Sequence, residues 1–410
     1  MTRVLLLIPT ASYRAPDFMD AAAKLGLEVV VGSDRGQPLA DLFPGKTVTA
    51  SFADPVRGGA EIARFADSYP LDAIVAVDDG GTILAAEAAA QISLPYSSVE
   101  AVRATRDKSL MRTILDDVDV PTPNWRAFPI DVDATALGTL IKYPCVVKPI
   151  ALSGSRGVMR ADDPESFAAA VDRLRAILSD PRVAEECGET ADRFLIEDYI
   201  PGDEVSLEGL MTDGTLHVLA LFDKPDPLVG PFFEETIYVT PSRLDLSTQQ
   251  TVARIAERAI LALGISEGPV HAELRLAHDL IYPIDIAARS IGGLCARTLS
   301  FGTGMSLEEI ILRHATGAPN ETFDRADPAA GVMMIPIPAG GILKGVSGLD
   351  AARSEPLISE VKISIPNGQK VTPLPEGGEY LGFIFARGET SEEVEAALRA
   401  AHARLDFEIG

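Results

Sequence analysis

Cysteine is scarce in this chain: Cys145, Cys187 and Cys295 are the only three. They are far apart and odd in number, so they define no disulfide framework and no zinc cluster. Cys145 and Cys295 lie in apolar surroundings and read as small core residues. Long apolar runs are also missing. None could span a bilayer, and the opening run Val4–Ile8 is too short for a signal-peptide core, so no membrane association and a cytoplasmic location are expected. Basic residues are outnumbered, 36 Lys and Arg against 60 Asp and Glu, giving a formal net charge of −24. That balance argues against broad contact with nucleic acid phosphates. It still allows a phosphate ligand in a cleft, where a few lysines and backbone N–H groups suffice. There is no internal repeat or low-complexity tract. No GxGxxG follows the first strand, which leaves a dinucleotide fold little support.

What is present fits two or three domains: 410 residues, 47% of them hydrophobic. Residues 4–8, 27–31 and 72–79 read as strands, and 15–26, 57–69 and 83–92 as helices. This alternation predicts a small parallel α/β domain over about 1–100. The turns 9–14 and 78–81 would then sit at the C-terminal ends of parallel strands, where open sheets bind ligands. They place Ser12, Tyr13, Arg14, Asp78 and Asp79 as cleft candidates by location only. Pro121 and Pro123 mark a connection into a second region of short strands with helices at 163–179 and 246–264. The chain closes with glycine- and proline-punctuated strands and a helix over 390–405, where Thr390 and Glu393 have capping-box spacing.

Three segments carry chemistry. In 143–158 an apolar strand delivers Lys148 to a loop with Ser153, Ser155 and Gly157. A strand-end lysine and small residues with free amides suit an anion, although a surface hairpin explains them equally well. In 194–209, Glu197 and Glu204 flank a Pro-Gly turn, and each carboxylate could accept from an amine edge or ribose hydroxyls; alone, this is more simply an acidic hairpin. In 269–293, two strands form a hairpin in which Glu273 and Asp285 could face the same side and offer oxygen ligands to Mg²⁺. Arg289 lies four residues on and could meet a phosphate or carboxylate. An Asp285–Arg289 salt bridge is the bland reading of that segment, but it leaves His271, Glu273 and the 290–293 Gly-Gly loop unexplained.

In order and spacing these segments, with 101–115, resemble the ATP-grasp superfamily over essentially the whole chain. The resemblance implies an α/β ATP-grasp fold: an N-terminal parallel domain at 1–100, a grasp core at 101–325 with a mobile lid at about 140–205, and a C-terminal α+β subdomain at 326–410. It casts Lys108 and Lys148 as nucleotide-binding lysines, with Ser153, Ser155 and Gly157 in the glycine-rich loop. Glu197 with Ile200 takes the adenine hinge and Glu204 the ribose site. Glu273 and Asp285 become metal ligands, and Arg289 the cation at the transferred phosphate. Lys148, Arg289 and His271, which should share a strand face with Glu273, are the catalytic candidates. Two positions depart from the family's habit: Asp285 where glutamate is common, and Ala287 where asparagine is common.

Segments 222–242, 286–304 and 373–388 are similar to bacterial L-amino-acid ligases. That likeness implies ATP and Mg²⁺, with Mn²⁺ as an alternative, and a small carboxylate and amine joined through an acyl phosphate. It also implies a homodimer, for which the sequence offers no independent argument. Lys224, Glu234 and Glu235 could meet substrate or face solvent. Two other readings stay open: a ligase or carboxylase acting on a phosphorylated metabolite or bicarbonate, and a nucleotide-binding regulator without turnover.

Overall fold

The computed structural model describes residues 1–9, 12–36 and 44–410. Thr10 and Ala11, within the 9–14 turn, lie outside the described residues. The N-terminal region runs β1 (Arg3–Leu7), α1 (Ala15–Lys24), β2 (Glu28–Ser33), β3 (Thr47–Thr49), α2 (Pro55–Ser68), β4 (Ala73–Ala76) and α3 (Thr82–Ile92). Its strands are parallel in the order β3-β2-β1-β4. Val4 to Leu7 are fully buried because helices cover the sheet, which is why this strand reads as a continuous apolar run.

Two helices then lead on, α4 (Val99–Arg106) and α5 (Lys108–Asp117). Asp107 sits between them, and its carboxylate accepts from the amides of Ser109 and Leu110 to cap α5. That cap fixes Lys108 at the first position of the helix.

Next come β5 (Trp125–Pro129), α6 (Ala134–Gly138), β6 (Cys145–Pro149), β7 (Met159–Ala161), α7 (Pro164–Leu178), α8 (Pro181–Cys187) and β8 (Arg193–Asp198). The four strands form their own sheet in the order β5-β8-β6-β7 around a separate core that includes Phe167, Leu174 and Phe194. This lid sheet starts at Trp125, upstream of the expected boundary at 140. Residues 140–205 omit β5, which pairs with β8 along its whole length.

A third sheet follows, of eight strands and, like that of the lid, antiparallel throughout. Its first half is β9 (Asp203–Thr212), β10 (Thr215–Asp223), β11 (Ile237–Thr240), α9 (Leu246–Ala262), β12 (Gly268–Ala277) and β13 (Leu280–Ala287). The chain continues through β14 (Ser300–Phe301), β15 (Met305–Ser306), α10 (Leu307–Ala315), β16 (Ala329–Ile335), β17 (Gly341–Ser347), α11 (Leu349–Arg353), β18 (Ile358–Ile363), β19 (Lys370–Val371), β20 (Gly382–Gly388), α12 (Ser391–His402) and β21 (Asp406–Ile409). Strand order in the large sheet is β13-β12-β9-β10-β11-β16-β20-β18. The division expected at 326 therefore falls within one continuous sheet: β16, β18 and β20 extend it, and only β17, β19 and β21 form a small sheet of their own.

The lid is fastened to the C-terminal segment. The Gly157 amide donates to the Pro375 carbonyl at 2.9 Å, and Arg173 grips both carboxylate oxygens of Glu376. All three cysteines are free and buried. No helix among the described residues is long and apolar enough to cross a membrane.

Candidate active site

The three layers enclose one cleft of about 1520 Å³. Strand register explains how its floor is assembled. Side chains two apart share a sheet face, and β9 pairs with β12 so that Glu204 faces Arg275, Ser206 faces Glu273 and Glu208 faces His271. On the other side of β12, Glu273 faces Asp285 and His271 faces Ala287. His271 and Glu273 thus lie two apart on one face of β12, Asp285 is the direct cross-strand neighbour of Glu273, and all three line the cleft.

At the lid end, residues 146 and 148 of β6 pair with 197 and 195 of β8, which sets Glu197 diagonally beside Lys148. The two meet at 2.7 Å. Arg112, fully buried on α5, donates to the same carboxylate from Nε at 2.8 Å. Burial works against Glu197's charge, but Arg112 and Lys148 more than offset it and pull its pKa down to about 2. Burial also lowers the Lys148 ammonium, only partly opposed by Glu197 and reinforced by Arg112 and Lys108, to about 8. The resemblance puts Glu197 at the adenine hinge; in the structure its carboxylate bonds two protein cations, Arg112 and Lys148.

Lys108 reaches the Leu152 carbonyl at 2.9 Å and Asp285 at 3.4 Å. Ser153, Gly154 and Ser155 line the cleft, with Gly154 and Ser155 both in the left-handed region at φ 63° and 55°. Gly157 does not belong with them: its amide is used by Pro375, and an added Cβ would come within 3.0 Å of Leu174. Ile200 lines the cleft, and its carbonyl accepts from Arg275 at 2.7 Å.

Glu204, read as a ribose ligand, is engaged by Lys224 at 2.7 Å and by Arg275 Nε at 2.8 Å. Lys224 also contacts Glu235, and Glu273 at 3.3 Å. It is buried, so the solvent-facing reading of this lysine fails. The oxygens of Glu204, Glu235 and Glu273 lie within 4.8 Å of one another, a spacing able to hold a cation, with the Lys224 ammonium bonded to all three residues. Asp285 stands outside that trio. Its Oδ1 is buried without a hydrogen-bond partner among the described residues.

The bland Asp285–Arg289 salt bridge does not form. Arg289 Nε donates to Asp79 Oδ2 at 2.9 Å, and Arg106 Nη1 meets Asp79 Oδ1 at 3.1 Å. His271 turns Nδ1 to Glu208 at 3.2 Å and Nε2 toward Glu273 at 3.6 Å. Glu208 is fully buried and also accepts from the Ile291 amide at 2.9 Å. Tyr13, Tyr238, Glu235, Cys295 and Tyr380 complete the wall, and Arg14 donates to Ser290 Oγ at 2.7 Å. Arg106, Arg112, Glu208 and Arg275 were missed in the sequence. Glu208 and Arg275 had a signal, since Glu204-x-Ser206-x-Glu208 and His271-x-Glu273-x-Arg275 place polar residues at period two in otherwise apolar strands. For Arg106 and Arg112, on helices remote from their partners, there was none.

This site belongs to a recognisable class. Residues 141–298 match the ATP-grasp domain, 19–96 the ATP-grasp N-terminal domain, and 333–410 the L-amino acid ligase C-terminal domain 2. The chain belongs to the ATP-grasp superfamily and carries the C-terminal domain found in L-amino acid ligases. The L-amino acid ligase of Bacillus licheniformis superposes with a TM-score of 0.83 at 25% identity, covering 100% of this chain and 99% of that one. The alanine–anticapsin ligase of Bacillus subtilis is 28% identical over 62% of this chain and 55% of its own length. This chain thus spans about half of that relative. A D-alanine–D-alanine ligase from Verminephrobacter eiseniae is 25% identical over 57% of this chain and 70% of that protein.

Proposed function

We propose that this protein is an ATP-dependent ligase that joins a carboxylate to an amine through an acyl phosphate, with an amino acid as one substrate. The carrying observation is the cleft itself, where Lys108, Lys148, Arg106 and Arg289 converge on a floor bearing Glu273 and Asp285. A carboxylate oxygen attacks the γ-phosphorus of ATP and ADP leaves. The amine then attacks the acyl carbon, phosphate leaves with the bonding pair, and the amine loses a proton. The cations offset charge on the transferring phosphoryl group. The lid shields the acyl phosphate from water. Mg²⁺, with Mn²⁺ as the alternative, fits Glu273 and Asp285: both give hard oxygen donors, and the buried Asp285 Oδ1 has no other partner among the described residues. Such an ion supplies charge neutralisation at the phosphate oxygens. Similarity to three carbon–nitrogen ligases supports the same reaction class.

The test is phosphate release from Mg-ATP with pooled amino acids and small carboxylates, read together with product masses. Release that needs two substrates and yields a new amide mass is expected. Tight ATP binding with no release under any pairing would move the protein to the nucleotide-sensor class. A Glu273→Ala variant should lose turnover by at least about 100-fold, and full activity in it would remove the metal assignment.

A further inference from the structure

Asp79 lies just beyond β4, in the N-terminal region, yet both its oxygens are spent on the grasp core. Oδ1 faces Nη1 of Arg106, the last residue of α4, at 3.1 Å, and Oδ2 accepts from Nε of Arg289, just after β13, at 2.9 Å. The side chains of Arg106, Asp79 and Arg289 are only 17%, 19% and 12% exposed. All three line the cleft. Burial alone would push the Asp79 carboxyl up. Arg289 and Arg106 reverse that and hold it well below the usual carboxylate range. One anion between two guanidinium groups leaves a net single positive charge facing the cavity. Arg289 spends Nη1 on the Ser290 carbonyl at 3.0 Å, and its Nη2 has no hydrogen-bond partner among the described residues. A planar guanidinium anchored through Nε and Nη1 has its orientation fixed, and its remaining amine is available to an oxyanion.

We propose that Asp79 is a positioning residue that holds Arg106 and Arg289 as one two-pronged seat for the substrate carboxylate destined to become the acyl phosphate. This rests on the ligase reading given above. Asp79 touches no substrate and works through the two arginines. Arg106 enters the site as a second cation beside Arg289. The arrangement also makes the N-terminal region part of the chemistry, because Asp79 is the one group among the described residues that bonds both arginine head groups.

The kinetic test compares Asp79→Ala, Asp79→Glu, Arg289→Ala and the double variant Asp79→Ala/Arg289→Ala. Misplacing a catalytic cation by about 1 Å costs about 100-fold in rate, so Asp79→Ala should lose about that much kcat with little change in the KM for ATP. Asp79→Glu should recover part of the loss, and the double variant should match Arg289→Ala alone. Losses that multiply in the double variant, or a KM for ATP that rises in step with the kcat loss, would overturn the assignment. A second measurement needs no turnover. The Arg289 Nε–H resonance, followed by NMR, should be protected from exchange in the parent and exposed in Asp79→Ala, and should shift on titration with acetate only when Asp79 is present. Protection that survives Asp79→Ala, or a parent resonance indifferent to acetate, would refute the seat. A parent with an intact, acetate-responsive resonance but no ligase activity would refute the reaction reading and leave the anion seat standing.

Discussion

Lys148 and Lys224 are both almost wholly buried, the first lining the cleft and the second behind three carboxylates that line it, and their surroundings treat them in opposite ways. Lys148 has one carboxylate, Glu197 at 2.7 Å, which it shares with Arg112. Burial wins, and its pKa falls to about 8. Lys224 stands among Glu204, Glu235 and Glu273. Burial pulls down there too, but the three carboxylates overcome it and raise the lysine well above its usual range. The count of anions per cation, more than burial, decides which lysine is left with charge to offer a ligand. Lys148 has only a carboxylate shared with Arg112, which leaves it charge to offer a phosphate. Lys224 is saturated within the protein and keeps three acids from repelling one another.

The contrast breaks most visibly at Lys224. Lys224→Met strands three carboxylates and should destabilise the fold by about 3–5 kcal/mol, measured by urea unfolding. A loss under about 1 kcal/mol would mean that Lys224 is not the keystone of the trio. Lys148→Met should leave stability nearly unchanged, because Glu197 keeps Arg112, while lowering turnover by about 10²–10³-fold. Comparable stability losses in the two variants would erase the distinction. The smallest effect sharpens it. Lys148 is charged below about 8 and loses its proton as pH rises through that value. ATP affinity should therefore fall above pH 8 by up to about tenfold per unit, with proton uptake on binding visible by calorimetry in two buffers. Lys148→Arg, which stays charged, should flatten that dependence.

The residues legible in the sequence are those whose partners are near in chain or strand. Lys148 followed a short apolar strand, and Glu273 and Asp285 sat in one hairpin, so pattern alone brought them together. The parallel N-terminal sheet was equally plain, because strands buried on both faces leave unbroken apolar runs. What escaped was the wiring between distant segments. Arg112 and Glu197 are 85 residues apart, and Arg289 and Asp79 are 210 apart. Glu197 and Glu204 both line the cleft, and the sequence does not reveal that Arg112, Lys148, Arg275 and Lys224 bond them there. Gly157 misled for a related reason. Small residues permit a close backbone approach, and here what approaches is the Pro375 carbonyl.

That last bond ties the lid to the wall of the cleft. The segment gripping the lid at Pro375 and Glu376 continues to Tyr380, which lines the cleft. The lid sheet and this tyrosine are therefore joined through one short strap, and a displacement of either would be felt by the other.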